Sequence, residues 1–479
     1  MRRWRLPLAT GIAVLLIGVA LVLALVPSGA EQTLAAARLQ TALCMVWHIA
    51  IACFGTGFPL LMLLADGHAR RAAAKNNGRA AGWDSQAAIE RLYQSGAVQL
   101  ARLWDHAFAV LFAAGAVSGT VLSFTLGMLW PGLFAKFGDL FGVPFTFESL
   151  AFFSEAIALG FWMYGRGKIS PAAHRAAGIA LAISGVCSAV FVVCANGWMN
   201  TPGGFRLEAG VLQDVNLSEV MFNAAALPEA VHMVLAALLV TGWVVAAAHA
   251  LALLRRPQSA LHRQGMLIAL GFAALLTPVQ LLAGDMLTRF IATNEPAKFA
   301  AAEALLHSGP NAPLAIGGVV IDGELRGAIE IPSGLSLLLH GDSSEPVAGL
   351  DSIPVDQQPA VGPVHLAFQV MVACGAVLLL AAALHGWVRW RGHLHQRRML
   401  QLVVVCGVLA VLAMEAGWMV TELGRQPWVV RGYLRTSEAV TTQQGLLPGL
   451  LVVIVVFAAL SAALVHALRS VVADAEKPQ

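Results

Sequence analysis

Four carboxylate side chains in this sequence stand inside or at the ends of apolar segments, where an ionisable group is costly. Glu155 and Glu415 lie well inside, whereas Glu148 and Glu422 lie near segment ends, where a carboxylate can also reach the interface. Glu148 and Glu155 are seven residues apart in one segment, and Glu415 and Glu422 repeat that spacing in another, with Trp418 between them. Because two helical turns separate residues i and i+7, each pair shares one helix face. A charged residue at the centre of a membrane helix costs about 2.5–3.5 kcal/mol on insertion scales. Two such faces therefore indicate one shared interior site.

Two histidines and a methionine have the types and depth of haem-iron ligands. His48 and His232 each lie a few turns inside an apolar run, and Met371 lies at a similar depth in a third. Neutral imidazole is the commonest metal ligand, and a His–Met pair makes a six-coordinate haem iron with a raised potential. A lone buried histidine or methionine is more often a packing residue. Two histidines at matching depth beside several carboxylates favour ligation, with His232 and Met371 as one pair.

A weaker candidate site lies in a long polar segment. Lys298 and Glu303 end the short amphipathic turn Lys-Phe-Ala-Ala-Ala-Glu. Charged residues in such a turn often do no more than face the solvent. Beside a shallow haem, they would instead bind a hydroxyl or carbonyl headgroup and accept a proton.

The composition indicates that membrane helices position these residues. The chain of 479 residues is 58% hydrophobic and 12% charged, whereas a typical soluble domain is about 25% charged. Nine apolar runs approach the roughly 20 residues that cross a bilayer, and they lack the alternation of barrel strands. We therefore predict an all-α membrane protein, a bundle of nine transmembrane helices. The runs are 42–66, 103–130, 147–165, 176–197, 228–253, 266–285, 363–388, 399–421 and 447–468.

The chain divides into four predicted regions. Residues 1–30 contain a tenth apolar run after an arginine-rich start and are either a signal peptide or an extra N-terminal transmembrane helix. Residues 31–285 hold the first six core helices with the haem sites. Residues 286–362 form a long outer segment, and residues 363–479 hold the last three helices and a cytoplasmic tail.

Loop charges and cysteines constrain the orientation and the class of partner. Lys and Arg concentrate in alternate loops, which the positive-inside rule assigns to the cytoplasm, so the candidate ligands lie in the outer half of the bilayer. The net charge of +3 is small and gives no indication of a nucleic-acid partner. None of the six cysteines forms a C-x-x-C-H motif, so any haem is held by ligation and packing alone.

Several short motifs, taken in order, resemble subunit I of the cytochrome bd quinol oxidases over nearly the whole chain after residue 35. They are Arg38-Leu-Gln leading to His48, Gly119 in Gly-Ala-Val-Ser-Gly-Thr, the stretch from Glu148 to Glu155, Asn196-Gly-Trp-Met, the His232 segment, Pro-Ala-Lys298 with Glu303, Met371-Val-Ala-Cys-Gly, and Glu415-Ala-Gly-Trp running to Gly-Arg425-Gln-Pro-Trp. The resemblance implies a low-spin haem b, a high-spin haem b, and haem d or a further haem b. It also implies quinol and O2 as substrates, surrounding membrane lipid, a second large membrane subunit with or without a small accessory subunit, and a bacterial cytoplasmic (inner) membrane location.

The resemblance also implies which residues bind the haems. His232 and Met371 would hold the low-spin haem b that receives electrons from quinol. His48 and Glu422 would ligate the irons of the other two haems, in either order, with Glu148 close by.

Further residues gain roles from the same resemblance. Glu155 would lie on the proton route from the cytoplasm, Trp418 and Arg425 would flank the haem pair, and Lys298 and Glu303 would belong to a short-type quinol-binding loop.

The sequence departs from many relatives beside Met371, and two other functions remain as alternatives. Gln369 stands where many relatives have an arginine, two residues before Met371. A haem-bearing quinone–cytochrome relay without oxygen reduction would share the His232 site but would not need Glu148 or Glu155. A carboxylate-lined transporter would contain no haem.

Overall fold

The structure, a computed structural model, describes residues 32–77, 96–391 and 396–476, with the side chains of residues 72–77 left out. Residues 1–30, expected to be a signal peptide or an extra helix, lie outside the described residues. Within the described part of the chain, nine helices are long and apolar enough to cross a membrane. The predicted all-α membrane fold is therefore confirmed.

Thirteen α-helices occur in the described residues. They are α1 (Gln32–Asn77), α2 (Ala97–Leu129), α3 (Pro131–Gly165), α4 (Pro171–Asn200), α5 (Leu217–Met221), α6 (Ala226–Arg255), α7 (Ala260–Asn294), α8 (Pro296–Glu303), α9 (Gly334–His340), α10 (Val361–Trp390), α11 (Arg397–Gly424), α12 (Thr436–Ala439) and α13 (Leu447–Ala475). The long helices extend past the predicted apolar runs, because a polar end outside the hydrocarbon can continue the helix. Local capping fixes some of these ends: the Ser170 side chain accepts a hydrogen bond from Ala173 N at the start of α4.

The described residues form two compact units. The larger unit comprises residues 53–77, 96–108, 139–391 and 396–436. In it, α6 packs against α7 and α11, and α10 packs against the same two helices. Helices α6 and α10 therefore stand diagonally opposite each other in a four-helix arrangement, and α4 packs on the outside of α6.

A buried ion-pair cluster joins α1, α2 and α3 within the larger unit. Arg166 reaches Asp66 Oδ1 at 3.2 Å and Asp105 Oδ2 at 2.8 Å. Trp162 Nε1 donates to the other oxygen of Asp105 at 2.7 Å, and Arg70 pairs with Asp66 at 2.6 Å. Because each aspartate is buried with a cation, removing Arg166 would leave uncompensated buried charge.

The long outer segment is more regular than its sequence suggests. Helix α7 continues to Asn294, so the first residues of the predicted outer segment, 286–294, are helical. The segment also contains α8, a β3–β6 pair (Leu314–Ile316 with Ile329–Ile331), an inner β4–β5 hairpin (Val319–Ile321 with Glu324–Arg326), α9 and two 3-10 turns. The turns span Leu350–Ser352 and Val355–Gln357. This segment has its own small hydrophobic core, formed by the buried side chains of Phe299, Leu305, Ala312, Leu335 and Val347.

Helix α10 holds the outer segment through two side chains one turn apart. The Gln369 amide accepts from Gly317 N at 2.9 Å and donates to Ala315 O at 3.0 Å. The His365 ring nitrogens lie 2.8 Å from Ala302 O and 3.1 Å from Gly317 O. Gln369, which departs from many relatives, thus fixes strand β3 and the glycine that follows it onto the helix that carries Met371.

The larger unit contains two further β-hairpins. Strand β1 (Arg206–Glu208) pairs with β2 (Val211–Gln213), and β7 (Trp428–Val430) pairs with β8 (Leu434–Arg435). All four pairs in the described residues are antiparallel and two-stranded.

The described residues of the smaller unit are 32–52, 109–138 and 437–476. In its described part, Cys44 packs with Phe457, and Trp47 lies 5.1 Å from the Phe457 ring. Trp47 Nε1 donates to Ser461 Oγ at 2.8 Å, which fixes the first half of α1 against α13. This packing positions His48, the next residue.

Candidate functional site

His48 has a defined hydrogen-bond partner in the smaller unit. Its Nδ1 lies 2.9 Å from Ser118 Oγ, and the Ser118 hydroxyl itself donates to Gly115 O at 3.0 Å. Since that hydroxyl proton is committed, Ser118 Oγ accepts from His48 Nδ1–H, and the lone pair of the ring lies on Nε2. A neutral imidazole oriented by its other nitrogen is the usual state of a metal-ligating histidine.

The same helix leaves room beside the His48 ring. A Cβ atom at Gly119 would lie 3.0 Å from His48 Cε1, tighter than ordinary van der Waals contact. Glycine at this position therefore keeps a space next to the imidazole that any larger residue would fill.

His232 and Met371 occupy the diagonal helices α6 and α10 of the four-helix arrangement. Each lies against a glycine on a flanking helix: a Cβ at Gly284 of α7 would be 3.3 Å from His232 Cε1, and one at Gly417 of α11 would be 3.1 Å from Met371 Sδ. Side chains on facing helices build cofactor sites in bundle cores. The two ligand candidates thus project from opposite helices, with backbone glycines leaving space beside both.

Gln280 of α7 adds an unsatisfied polar group beside His232. Its Nε2 lies 3.3 Å from both ring nitrogens of His232, and its Oε1 is buried without a hydrogen-bond partner. An unpaired buried amide oxygen costs free energy and calls for an explanation, such as a bound group in the site.

A directed hydrogen-bond chain runs to Glu422. Lys298 Nζ donates to Asn200 Oδ1 at 2.9 Å, Asn200 Nδ2 donates to Asn196 Oδ1 at 3.0 Å, and Asn196 Nδ2 donates to Glu422 Oε1 at 2.6 Å. Arg425 pairs with the other oxygen of Glu422. The donors along this chain point toward Glu422, so both of its side-chain oxygens have a partner and the side chain is fixed in place.

The first pair of in-span carboxylates, Glu148 and Glu155, shares one face of α3. Glu148 Oε1 accepts from Ser188 Oγ at 3.1 Å, and a Cβ at Gly185 would lie 3.3 Å from Glu155 Oε1. Ser188 and Gly185 both belong to α4, so Glu148 and Glu155 both face that helix. Glu155 Oε1 is buried and has no hydrogen-bond partner.

The second pair of in-span carboxylates differs in its surroundings. Both side-chain oxygens of Glu415 are buried without a hydrogen-bond partner, whereas both oxygens of Glu422 are paired. Trp418, between them on α11, is half-buried. The seven-residue spacing thus places two carboxylates with different polar partners along one helix.

An open cleft of about 320 Å³ lies where the outer segment meets the end of α11. It is lined by acidic, basic, amide and apolar residues, namely Glu295, Pro296, Ala297, Lys298, Ile353, Pro354, Gln357, Gly424, Arg425, Gln426, Trp428, Arg431 and Gly432. Lys298 and Arg425 are thus brought together here, whereas Glu303 is not among the lining residues.

The family model described as cytochrome bd terminal oxidase subunit I matches residues 36–476. The chain belongs to this family. It is 31% identical over 434 residues to a putative cytochrome bd menaquinol oxidase subunit I of Bacillus subtilis (strain 168), covering 88% of this chain and 93% of that one.

More distant and structural relatives agree. The cytochrome bd-II ubiquinol oxidase subunit 1 of Escherichia coli (strain K12) is 26% identical over 412 residues, covering 71% of this chain and 80% of that one. The solved bd oxidase structure from Geobacillus thermodenitrificans matches with a TM-score of 0.84 and 31% identity, covering 93% of this chain and all of the solved chain (100%). The resemblance seen in the sequence is confirmed.

Membership of the cytochrome bd family implies haem, and the described residues fit that group. His48 presents Nε2, the glycines beside His48, His232 and Met371 leave space, and Gln280 has an unsatisfied oxygen. No cluster of three or more His, Cys, Asp or Glu side chains that could hold a free metal ion occurs among the described residues. A porphyrin needs only one or two protein ligands, which matches isolated ligands of this kind.

Several residues of this site escaped sequence reasoning. Asn200 follows Asn196 at i+4 in an apolar run, a spacing that could have indicated a shared polar face. Ser118 lies one residue before Gly119, inside the Gly-Ala-Val-Ser-Gly-Thr motif, and this position in the motif could have indicated it. Glu295 had none, since it reads as an ordinary loop carboxylate before a proline.

Glu303 gives the outer segment a pH-dependent stability. It is buried, and its burial raises the pKa of its carboxyl from 4.5 to about 7. The unfolded chain loses this proton near pH 4.5, whereas the folded chain keeps it up to about pH 7. The free energy of unfolding therefore falls as pH rises through this window, by about 3 kcal/mol in all.

Glu303→Gln, which stays neutral, is expected to remove this loss. The midpoint of thermal unfolding of the variant, relative to the native protein, should rise between pH 5 and pH 8. Glu345→Gln, at an exposed carboxylate of the same segment, is the matched control and should show no such trend. An unchanged difference between Glu303→Gln and the native protein across this range would contradict the buried, neutral assignment.

Proposed function

We propose that this chain is the quinol-oxidising and oxygen-reducing subunit of a cytochrome bd quinol:oxygen oxidoreductase. Its relatives are named as menaquinol and ubiquinol oxidase subunits. The observation that carries the proposal is the placement of His232 and Met371 on diagonally opposite helices, each beside a helix glycine. Such a site suits a flat, six-coordinate haem that only transfers electrons.

The haem ligands are assigned as follows. His232 and Met371 would hold a low-spin haem b, and His48 and Glu422 would ligate a high-spin haem b and either haem d or a further haem b. Bound haem would carry single electrons and offer O2 an open iron position. Ser118 keeps the His48 lone pair on Nε2, and Asn196 keeps Glu422 oriented.

The cleft beside Lys298 is the proposed quinol site. A quinol presents two hydroxyl groups on an aromatic ring, and the cleft offers Lys298, Glu295 and Gln357 as polar partners with Trp428 and Ile353 as apolar walls. Pockets of this kind, apolar with a few placed polar groups, bind small aromatic ligands.

Proton movements would separate charge without a pump. The positive-inside rule places the cleft at the outer face, so protons from quinol would leave there. Protons for water formation would come from the cytoplasm, with Glu155 and Glu148 on the route. Their shared face toward α4 supports this, since Gly185 and Gly55 leave space around Glu155 Oε1. The result would be a proton motive force.

The proposed partners follow from the family. A second large membrane subunit would complete the oxidase, with a small accessory subunit as a further candidate, in a bacterial cytoplasmic membrane. Exposed apolar side chains on the spanning helices, such as Phe153 and Ile157 on α3, are suited to lipid or to that subunit. Quinol and O2 would be the small-molecule substrates.

Oxygen uptake by the purified complex tests this proposal. Quinol should drive uptake with two quinols oxidised for each O2, the ratio for complete reduction to water. A haem-bearing relay would oxidise quinol without consuming O2. A transporter would show neither haem absorbance nor quinol oxidation, and either result would contradict the proposal.

A further inference from the structure

The cleft contains a carboxylate to which the family resemblance gives no role and to which the proposed function gives only that of a polar contact. Glu295 lies between α7 and α8, caps the end of α7 through its backbone N–H to Ile291 O at 2.7 Å, and lines the cleft. Its side chain is only 2% exposed. Its Oε2 pairs with Lys298, whereas Oε1 is buried without a hydrogen-bond partner.

We propose that Glu295 is the catalytic residue that accepts the proton from the quinol hydroxyl in this cleft. The inference rests on the proposed function, because it requires quinol to bind there. A buried carboxylate oxygen without a donor is costly, and a substrate hydroxyl is the kind of donor that would satisfy Oε1. Glu295 thus has the position and the unused acceptor that the reaction needs.

Glu303, the carboxylate that the sequence favoured, is placed differently. It follows Lys298 by five residues, so at 100° per residue the two side chains point about 140° apart around α8. Glu295 precedes Lys298 by three residues, a spacing that brings side chains together. The contacts agree, since Lys298 pairs with Glu295 and the cleft excludes Glu303.

Lys298 then acts as a positioning residue. Its ammonium pairs with Glu295 Oε2 and donates to Asn200, so it holds the Glu295 side chain in one orientation and leaves Oε1 as the unused acceptor. Arg425 and Arg431 also line the cleft and add positive charge. Glu229, which interacts electrostatically with Glu295, Lys298, Arg425 and Glu422, opposes them. The charged side chains around Glu295 therefore carry a net positive charge.

The step balances as an ordinary quinol oxidation. The O–H bond of a quinol hydroxyl breaks, its proton forms a bond with Glu295 Oε1, and one electron leaves to a one-electron acceptor, the chemistry that bound haem would supply under the proposed function. Glu295 releases the proton to water at the open side of the cleft, and loss of the second proton and electron leaves quinone. Glu295 is unchanged at the end.

Glu295→Gln in the purified complex tests the inference, with O2 uptake measured from two electron donors. General-base contributions are typically about 100- to 10,000-fold, so kcat with quinol should fall at least about 100-fold while KM changes little. A small one-electron mediator that reduces the haems without using the cleft should support uptake within about twofold of the native rate. Glu295→Asp should restore part of the quinol activity, and the haem spectrum should not change.

Two variants and the native complex make each outcome decisive. Glu345→Gln, at an exposed carboxylate in the same segment, should leave both activities unchanged. A native quinol rate in Glu295→Gln, an equal loss with both donors, or a larger quinol-specific loss in Glu303→Gln would overturn the assignment. If the native complex itself used the mediator but not quinol, the proposed function would fail, and that result is distinct from a normal rate in the variant.

Discussion

Replacing His232 by alanine should abolish the low-spin haem absorbance and lower quinol-driven O2 uptake by more than about 100-fold. The reason is positional. His232 lies on α6, diagonally opposite Met371 on α10, and the Gln280 side chain beside it offers only an amide in place of the lost imidazole. Spectra of the purified complex, reduced minus oxidised, measure the first effect directly.

His249→Ala is the matched control for that variant. His249 is also on α6 and is buried, but it bonds to Trp104 Nε1 and His262 Nδ1, each at 2.9 Å. Its loss should reduce thermal stability and leave the low-spin band in place. An intact low-spin band in His232→Ala would show that the ligand assignment is wrong.

Gly119→Leu should remove the haem held by His48 and with it most of the oxygen-reducing activity. A Cβ at this position would already lie 3.0 Å from His48 Cε1, so the rest of a leucine side chain would occupy the space beside the ring. Overpacking of this kind typically costs about 1–3 kcal/mol, and here the more important effect is steric exclusion of a ligand. Haem content per complex and mediator-driven O2 uptake measure it.

Gly127→Leu, eight residues further along α2, tests whether the effect is local. No atom lies within 4 Å of a Cβ built there, so the substitution should leave haem content and uptake unchanged. Equal losses in the two variants would indicate general damage to α2. Full haem content in Gly119→Leu would refute the role of the space beside His48.

The spans and the ligand candidates were predictable because they depend on local sequence. A run of about 20 apolar residues must form a helix in lipid, and an ionisable residue inside it stands out. The seven-residue spacing of Glu148 and Glu155 likewise fixed their common face, which the structure places toward Ser188 on α4.

The partners of these residues were not predictable, because they depend on which helices pack together. Nothing in the sequence joins Lys298 to Asn200, nearly one hundred positions away, yet their bond begins the chain to Glu422. The choice between Glu295 and Glu303 also depended on tertiary structure, since both flank Lys298 in a polar segment. Strand β3 of the outer segment is likewise held by residues distant in sequence: Gln369 on α10 bonds to Ala315 and Gly317, and Leu314 packs against the Phe299 cluster.

The most direct test of the whole account is an anaerobic reduction followed by an oxygen pulse. Quinol added to the purified, oxygen-free complex should produce the reduced haem bands, including the low-spin band assigned to His232 and Met371. Admission of O2 in less than stoichiometric amount should erase those bands, which then return as the remaining quinol is consumed. Haem bands that form with quinol but persist after O2 would identify an electron relay, and the absence of haem bands would contradict the account altogether.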